Sequence, residues 1–339
     1  MTTITVLPGD GIGPEVVEQA LLVLEAVEPG LRPDVLDHVN AGTFLATGVA
    51  LSEADVRRVG DSAGCLLGAV GDPRVDGTSY ARDVLLRLRS SLDLYVNYRP
   101  ARLLHDRLSP LREPARRGID CVVVRENSEG LYAGIGGTLR DDEVAVDTEI
   151  TTYRGVARVV DFALSAATRS VCVVDKANAV PNGGAVWRRC RREAAARRPD
   201  LEVTHQYVDA MAMRLVTDPT AFDVIVTNNS HGDILSDVTA ALAGGLGVAA
   251  SANLNPDSGF ALCEPVHGSA PDIAGSGTAN PVGAILSAAL LLDRLGHADA
   301  ARAVRRAVDD AVARSRCTPD LGGSLDTAAA GAAIRAGLA

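Results

Sequence analysis

The sequence predicts an α/β fold with a largely parallel sheet, divided between two lobes. Three observations carry that prediction. A strand-like apolar run, a glycine-containing turn and a helical pattern recur in that order along the chain. The stretch from Asn280 onward is nearly all helical in pattern. The 339 residues also exceed the size, about 250 to 300 residues, at which single cores stop growing.

The first unit of the pattern is "ITVLPGDGIG" followed by "PEVVEQALLVLEAV", where Pro14 fits the first turn of a helix. The spacing G-x-G-x-G in "GDGIGPE" is not the G-x-G-x-x-G of a Rossmann dinucleotide fingerprint. Glycines at such a turn serve either a sharp reversal or close approach to a phosphate. "GCLLGAVG" leads to "ARDVLLRLRSSL", "SVCVVDKAN" to "GGAVWRRCRREAAA", and "FDVIVTNNSHG" to "DILSDVTAALA". The helical tail, "NPVGAILSAALLLDRL" and "ADAARAVRRAVDDAVARS", is expected to pack on the sheet of the first lobe. Residues 1–98 and 245–339 are assigned to that lobe and residues 99–244 to the second.

Composition excludes several classes of function. With 33 basic and 43 acidic residues the net charge is −10, which argues against nucleic acid or an anionic membrane as the main partner. No apolar stretch approaches the ~18 residues of a membrane span, and no secretory leader precedes the first strand, so a cytoplasmic location is expected. Cys65, Cys121, Cys172, Cys190, Cys263 and Cys317 are widely spaced, several within apolar runs, and read as buried reduced thiols. Lysines and aromatics are very few.

In "VTNNSHGDILSD", a short buried-type strand and a glycine-containing turn precede Asp233 and Asp237. Helical spacing puts both carboxylates on one face, one turn apart. Like charges so placed destabilise a helix slightly; a hard divalent cation, Mg²⁺ or Mn²⁺, would reverse that sign. The plain alternative is that Asp233 caps the helix and Asp237 is solvated. Arg89 in "LLRLRSSLDLY", Arg99 in "NYRP" and Arg125 in "CVVVRE" lie in contexts that suggest duty beyond solubility, and a guanidinium following the apolar run "CVVV" needs an anion. That anion is either a nearby carboxylate of the chain or a dicarboxylate ligand held by bidentate forks.

Together "GDGIGPE", "SLDLYVNYRPAR", "VVVRENSEGLYAG", "VVDKANAV", "YVDAMAMRLV", "GDILSD" and "EPVHGSAPDIAGSGTANPVGAILS" resemble the motifs of the β-decarboxylating dehydrogenases, in order from Gly9 to about Leu295. The resemblance implies the two-lobed α/β/α isocitrate/isopropylmalate dehydrogenase-like fold, which is not a Rossmann fold, with the first lobe built from both chain ends. It implies NAD-dependent oxidative decarboxylation of a 3-substituted malate, first of all (2R,3S)-3-isopropylmalate to 2-oxo-4-methylpentanoate in leucine biosynthesis. Homoisocitrate, isocitrate, tartrate, malate or another alkylmalate are the alternatives.

The resemblance also assigns residues. Asp209, Asp233 and Asp237 match the metal carboxylates, Lys176 the base for the substrate hydroxyl, and Tyr132 the acid for the enol carbon. Arg89, Arg99 and Arg125 match the carboxylate clamp, and Leu85 and Leu86 the apolar contacts of an alkyl substituent. Ile12, Glu264, His267, Gly268, Ser269, Ala270, Asp272, Ile273 and Asn280 match the cofactor contacts. Asp272, where NADP-using relatives carry lysine, implies NAD. Lys176 and Asp209 are implied to reach the site from a neighbouring subunit, making a homodimer. An inert regulatory subunit would be expected to lack some of these groups. Ser230 and His231 depart from the family's usual pair at their positions; His231 is read as packing in place of an aromatic, or as a contact to cofactor or substrate.

Overall fold

The computed structural model describes residues 2–141 and 143–338. Along the chain run β1 (Thr2–Gly9), α1 (Gly13–Val27), β2 (Leu31–Val35), α2 (Ala41–Thr47), α3 (Glu53–Gly60), β3 (Cys65–Ala69) and α4 (Tyr80–Ser91). Then come β4 (Val96–Arg102), β5 (Asp120–Glu126), β6 (Gly136–Leu139), β7 (Val144–Asp147), α5 (Tyr153–Ala166), β8 (Ser170–Asp175) and α6 (Pro181–Arg197). β9 (Glu202–Tyr207), α7 (Val208–Thr217), β10 (Val224–Thr227) and α8 (Asn229–Ala243) follow. The chain closes with β11 (Ala250–Leu254), β12 (Ala261–Pro265), α9 (Val282–Arg294), α10 (Ala298–Ala313) and α11 (Thr327–Ala336).

Two compact units result: Met1–Leu94, Leu104–Pro110 and Ala243–Ala339 form the first, and Tyr95–Leu103 with Leu111–Leu242 the second. The short segment 104–110, inside the span 99–244 set out from the sequence for the second lobe, belongs to the first unit. Arg107 holds it there, donating from Nε to the Leu321 carbonyl at 3.3 Å and from a terminal nitrogen to the Val312 carbonyl.

In the first unit the strands lie in the order β2-β1-β3-β12-β11, parallel except for the β11–β12 pair. β3, "CLLGA", is buried throughout, as a strand covered on both faces must be. Helix α9 is apolar nearly all round and packs against β11, β12, α1 and α10, so the helical tail does cover this sheet. Helix α10 buries Ala301, Val304, Ala307, Val308, Ala311 and Val312, one stripe at helical spacing. At the start of α3, Ser52 and Asp55 cap each other's backbone amides reciprocally. In the second unit the order is β4-β5-β10-β8-β9, with β4 antiparallel and the rest parallel. β6 and β7 form a separate hairpin, exposed along both strands.

The six cysteines are buried and free. Burial pushes the thiols of Cys172 and Cys190 up to about 11 and that of Cys121 up to about 12. Among the described residues no helix is long and apolar enough to cross a membrane.

The turn after β1 shows what its glycines do. Gly9 and Gly11 have φ of +73° and +57°, and a Cβ on either would stand 1.9 Å from the carbonyl oxygen of Ala69 or Ser269. They permit close backbone approach: Ile12 N donates to the Ser269 carbonyl at 2.8 Å. Buried Asp10 accepts from Ala41 N at 2.7 Å, Gly71 N at 2.9 Å and the Tyr80 hydroxyl at 2.8 Å, tying three segments to the end of β1. Burial, then the Asp10 carboxylate, raise the Tyr80 phenol far above its ordinary range, so it remains a donor. Tyr80→Phe is therefore expected to lower the unfolding free energy by about 1 to 2 kcal/mol. Asp10→Ala, which strands all three donors, should cost about 3 kcal/mol or more; urea unfolding followed by circular dichroism measures both.

Candidate active site

Arg125 ends β5 between two neighbours, opposite Asn97 of β4 and Thr227 of β10. Its side chain is 3% exposed, and a guanidinium so deep requires anions and acceptors. Helix α8 supplies them. Arg125 Nε donates to Asn229 Oδ1 at 2.9 Å, and a terminal nitrogen donates to Asp233 Oδ1 at 2.5 Å. Asn229 in turn donates from Nδ2 to the Glu129 carbonyl at 2.9 Å, which fixes its amide orientation. A Cβ on Gly232 would lie 2.6 Å from Arg125 Cγ, so the arginine stem occupies the space a side chain would need.

This corrects the sequence expectation for the segment. "NNSHG" is not a turn before a helix starting at Asp233; α8 starts at Asn229 and contains Ser230, His231 and Gly232. Asn228, not Asp233, caps it, accepting from His231 N at 2.9 Å.

Asp233 and Asp237 share a helix face, and Arg99 on β4 stands between them, 3.5 Å from Asp233 Oδ1 and 3.6 Å from Asp237 Oδ1. Arg99 also donates to Ser236 Oγ at 2.6 Å. The guanidinium relieves the like-charge pair, yet the two carboxylates keep 39% and 60% of their side-chain surface exposed. The Tyr132 hydroxyl donates to Asp233 Oδ2 at 3.1 Å, and Arg125 lies 5.5 Å from the centre of its ring. Burial first, then Asp233, raise the phenol above its ordinary value, so Tyr132 holds its proton and acts as a donor toward Asp233.

Lys176, the chain's single lysine, follows β8 and pairs with Asp209 Oδ1 at 2.6 Å. That hydrogen bond holds the Asp209 carboxyl below its usual range. Among the described residues no three His, Cys, Asp or Glu side chains are placed to hold a metal ion together, so Asp209 does not join Asp233 and Asp237 within one chain. The two partly exposed carboxylates of α8 are all-oxygen donors, a kind that fits a hard cation such as Mg²⁺ or Mn²⁺.

In the first unit α4 presents Leu85, Leu86 and Arg89. Leu85 packs partly on the core, Leu86 is half-buried, and Arg89 reaches Glu264 Oε1 at 3.3 Å. Glu264 also accepts from Asn253 Nδ2 at 2.7 Å. In the loop after β12, Gly268 and Asp272 are exposed, Ile273 is half-buried, and Ala270 has a φ of +39°. His267 Nε2 is buried without a hydrogen-bond partner among the described residues, a vacant polar contact that suits a bound nucleotide. Asn280 is committed elsewhere, its Nδ2 to Asp320 at 2.8 Å and its Oδ1 to Val282 N at 3.0 Å, where α9 starts. Asn229 and Ser236 are supports that no motif marks. Their signal was the helical register itself, which sets Asn229, Gly232, Asp233 and Ser236 along one side of α8.

Fold and site define an α/β enzyme whose paired carboxylates and guanidinium groups meet at the carboxyl ends of parallel strands. A profile described as isocitrate/isopropylmalate dehydrogenase matches residues 3–334, and the chain belongs to that family. It is 46% identical over 316 residues to the 3-isopropylmalate dehydrogenase of Thermobifida fusca, covering 90% of this chain and 89% of the relative. The enzyme of the same name from Clavibacter sepedonicus is 46% identical over 332 residues, covering 94% and 93%. A solved isocitrate dehydrogenase from Methylococcus capsulatus superposes with a TM-score of 0.91 at 37% identity, covering 100% and 99%. A β-decarboxylating dehydrogenase from Thermococcus kodakarensis gives 0.82 at 38% identity, covering 100% and 96%.

Gly232→Ala is expected to displace Arg125 and cost about 1 to 3 kcal/mol of stability by overpacking, read as a lower urea midpoint. His231 is half-buried, and its burial lowers the imidazole below the ordinary 6.5. The native state then binds fewer protons than the unfolded chain just below that pH, so stability falls as pH drops through about 6.5. The acid loss between pH 7 and 5 should be smaller in His231→Phe than in the parent.

Proposed function

We propose that the chain carries out NAD-dependent oxidative decarboxylation of a 3-substituted malate, with 3-isopropylmalate the preferred substrate, as a cytoplasmic step of leucine biosynthesis. The observation that carries this is the convergence of Arg99, Arg125 and Tyr132 on the Asp233–Asp237 face, in a chain of this family.

Arg99 and Arg125 would hold the malate carboxylates by charge-assisted hydrogen bonds. Lys176, as a neutral amine, would take the hydroxyl proton at Nζ. After CO₂ leaves, Tyr132 would give its hydroxyl proton to the enol carbon. A divalent cation on Asp233 and Asp237, with Asp209, would supply Lewis-acid polarisation of the hydroxyl and adjoining carboxylate, and NAD would supply the hydride acceptor. Exposed Asp272 can accept from ribose hydroxyls and would repel a 2′-phosphate, which favours NAD.

Leu85 and Leu86 support an alkyl 3-substituent over the extra carboxylate of isocitrate, because a carboxylate desolvated against them would have no partner. A homodimer with Lys176 and Asp209 supplied across the subunit boundary is supported by two features. The β6–β7 hairpin exposes Leu139, Val144 and Val146 (64%, 38% and 51%), and an isolated two-stranded hairpin is only marginally stable. Met213 and Val216 on α7 and Ile234 on α8 are also exposed, at 63%, 48% and 63%.

The test is a panel of isopropylmalate, isocitrate, homoisocitrate, tartrate and malate with NAD and NADP, with and without Mg²⁺. The expected outcome is Mg²⁺-dependent NAD reduction, fastest per KM with isopropylmalate, shifting toward NADP in Asp272→Lys and lost on dilution to monomer. Faster turnover of isocitrate, or full activity in a demonstrated monomer, would replace this assignment.

A further inference from the structure

We propose that the Asp175–His205 pair is a positioning device that keeps the Lys176 amine on Asp209. This rests on Lys176 being the base assigned above. Strands β8 and β9 run parallel, with Val173 opposite His205 and Asp175 opposite Tyr207. Each leads into one member of the outer pair: Lys176 follows Asp175, and Asp209 lies in the first turn of α7, directly after β9. Two pairs of polar side chains thus bridge the same strand gap like successive rungs. The inner rung, Asp175 Oδ1 to His205 Nε2 at 3.0 Å, joins a buried carboxylate to a half-buried ring, with side chains 3% and 23% exposed. The outer rung, Lys176 to Asp209, is open, at 27% and 67%.

Asp175 Oδ1 also accepts from Ala177 N at 2.9 Å, so one oxygen pins the backbone beyond Lys176 and the ring on β9. Helix α6 presses on that pinned turn: a Cβ on Gly184 would lie 2.3 Å from the Ala177 Cβ. The His205 ring is steadied edge-on by Tyr207, with centroids 5.1 Å apart at 88°. Asp175 Oδ2 is buried with no partner among the described residues. A carboxylate accepts hydrogen bonds only, so the Nε2–H of His205 is the donor, whether the imidazole is charged or neutral. Without that donor, Asp175 becomes an under-satisfied buried carboxylate one residue from the only lysine in the chain, and draws Lys176 away from Asp209. His205 occupies Asp175 so that the lysine does not.

Two readouts test this in the full-length enzyme with variants His205→Ala and His205→Gln. The first is steady-state kinetics. The second is the rate at which acetic anhydride labels Lys176 at one fixed pH, followed by peptide mass spectrometry against the N-terminal amine. Because the chain has one lysine, the label reports one side chain. His205→Ala should lower kcat at least about tenfold, with KM for the hydroxy acid changed less than about twofold, and should change the labelling rate severalfold. His205→Gln, which keeps an N–H donor, should restore both toward the parent. Should His205→Ala fail to fold, His205→Phe, which keeps the ring and removes the donor to the Asp175 carboxylate, is read the same way. Kinetics and labelling unchanged in either, or losses that glutamine does not recover, overturn the proposal. Labelling needs no turnover, so a parent inactive on every substrate, with labelling still dependent on His205, would remove the assigned reaction and keep the positioning role.

Discussion

The second unit is organised around one electrostatic constraint: a fixed positive charge at the end of β5 with almost no access to water. Burying an unpaired guanidinium is far more costly than any single packing contact is favourable. The elements that follow are shaped to prevent it. α8 begins four residues earlier than its sequence advertises, offers an amide oxygen from its first turn and a carboxylate from its second, and leaves out a side chain where the arginine stem passes. Asp233 therefore has two duties, as counter-charge for the fold and as an exposed oxygen donor. Bound anions would compete for the guanidinium groups, and bound cations for the carboxylates.

The legible part of the molecule was what depends on local period. Buried strands such as β3 and β8, the proline-led start of α1 and the shared face of Asp233 and Asp237 all follow from spacings of two or four residues. What was not legible depends on partners far away in sequence. Gly232 looks like a helix breaker until Arg125 is placed beside it. Gly11 looks like a phosphate-loop glycine until Ser269 is found against it. Asn229 and His205 carry no motif that announces them; their meaning lies in which strand is adjacent and in what register. The resemblance to a family supplied the link between Lys176 and Asp209 that spacing alone could not.

The two sides of the β8–β9 gap also show how a reactive side chain can be controlled without touching it. In the proposed arrangement the inner pair sets which acceptor the amine sees, while the amine itself stays partly open to solvent. Arg125 is instead held by direct contact, from Asn229 and Asp233. In both cases the support lies on an element adjacent in the sheet layer, so the geometry is inherited from strand pairing and not from loop conformation.

The buried, weakly acidic thiols have a practical consequence. Thiolate is the species that alkylating reagents attack, and here it is suppressed by inaccessibility at all six cysteines and, at Cys121, Cys172 and Cys190, also by burial that raises the thiol pKa. A cysteine introduced on the outer face of α10 would thus be the preferred site to take a maleimide dye or spin label under native conditions. Spectroscopic rulers can be attached to this chain with its natural cysteines left in place.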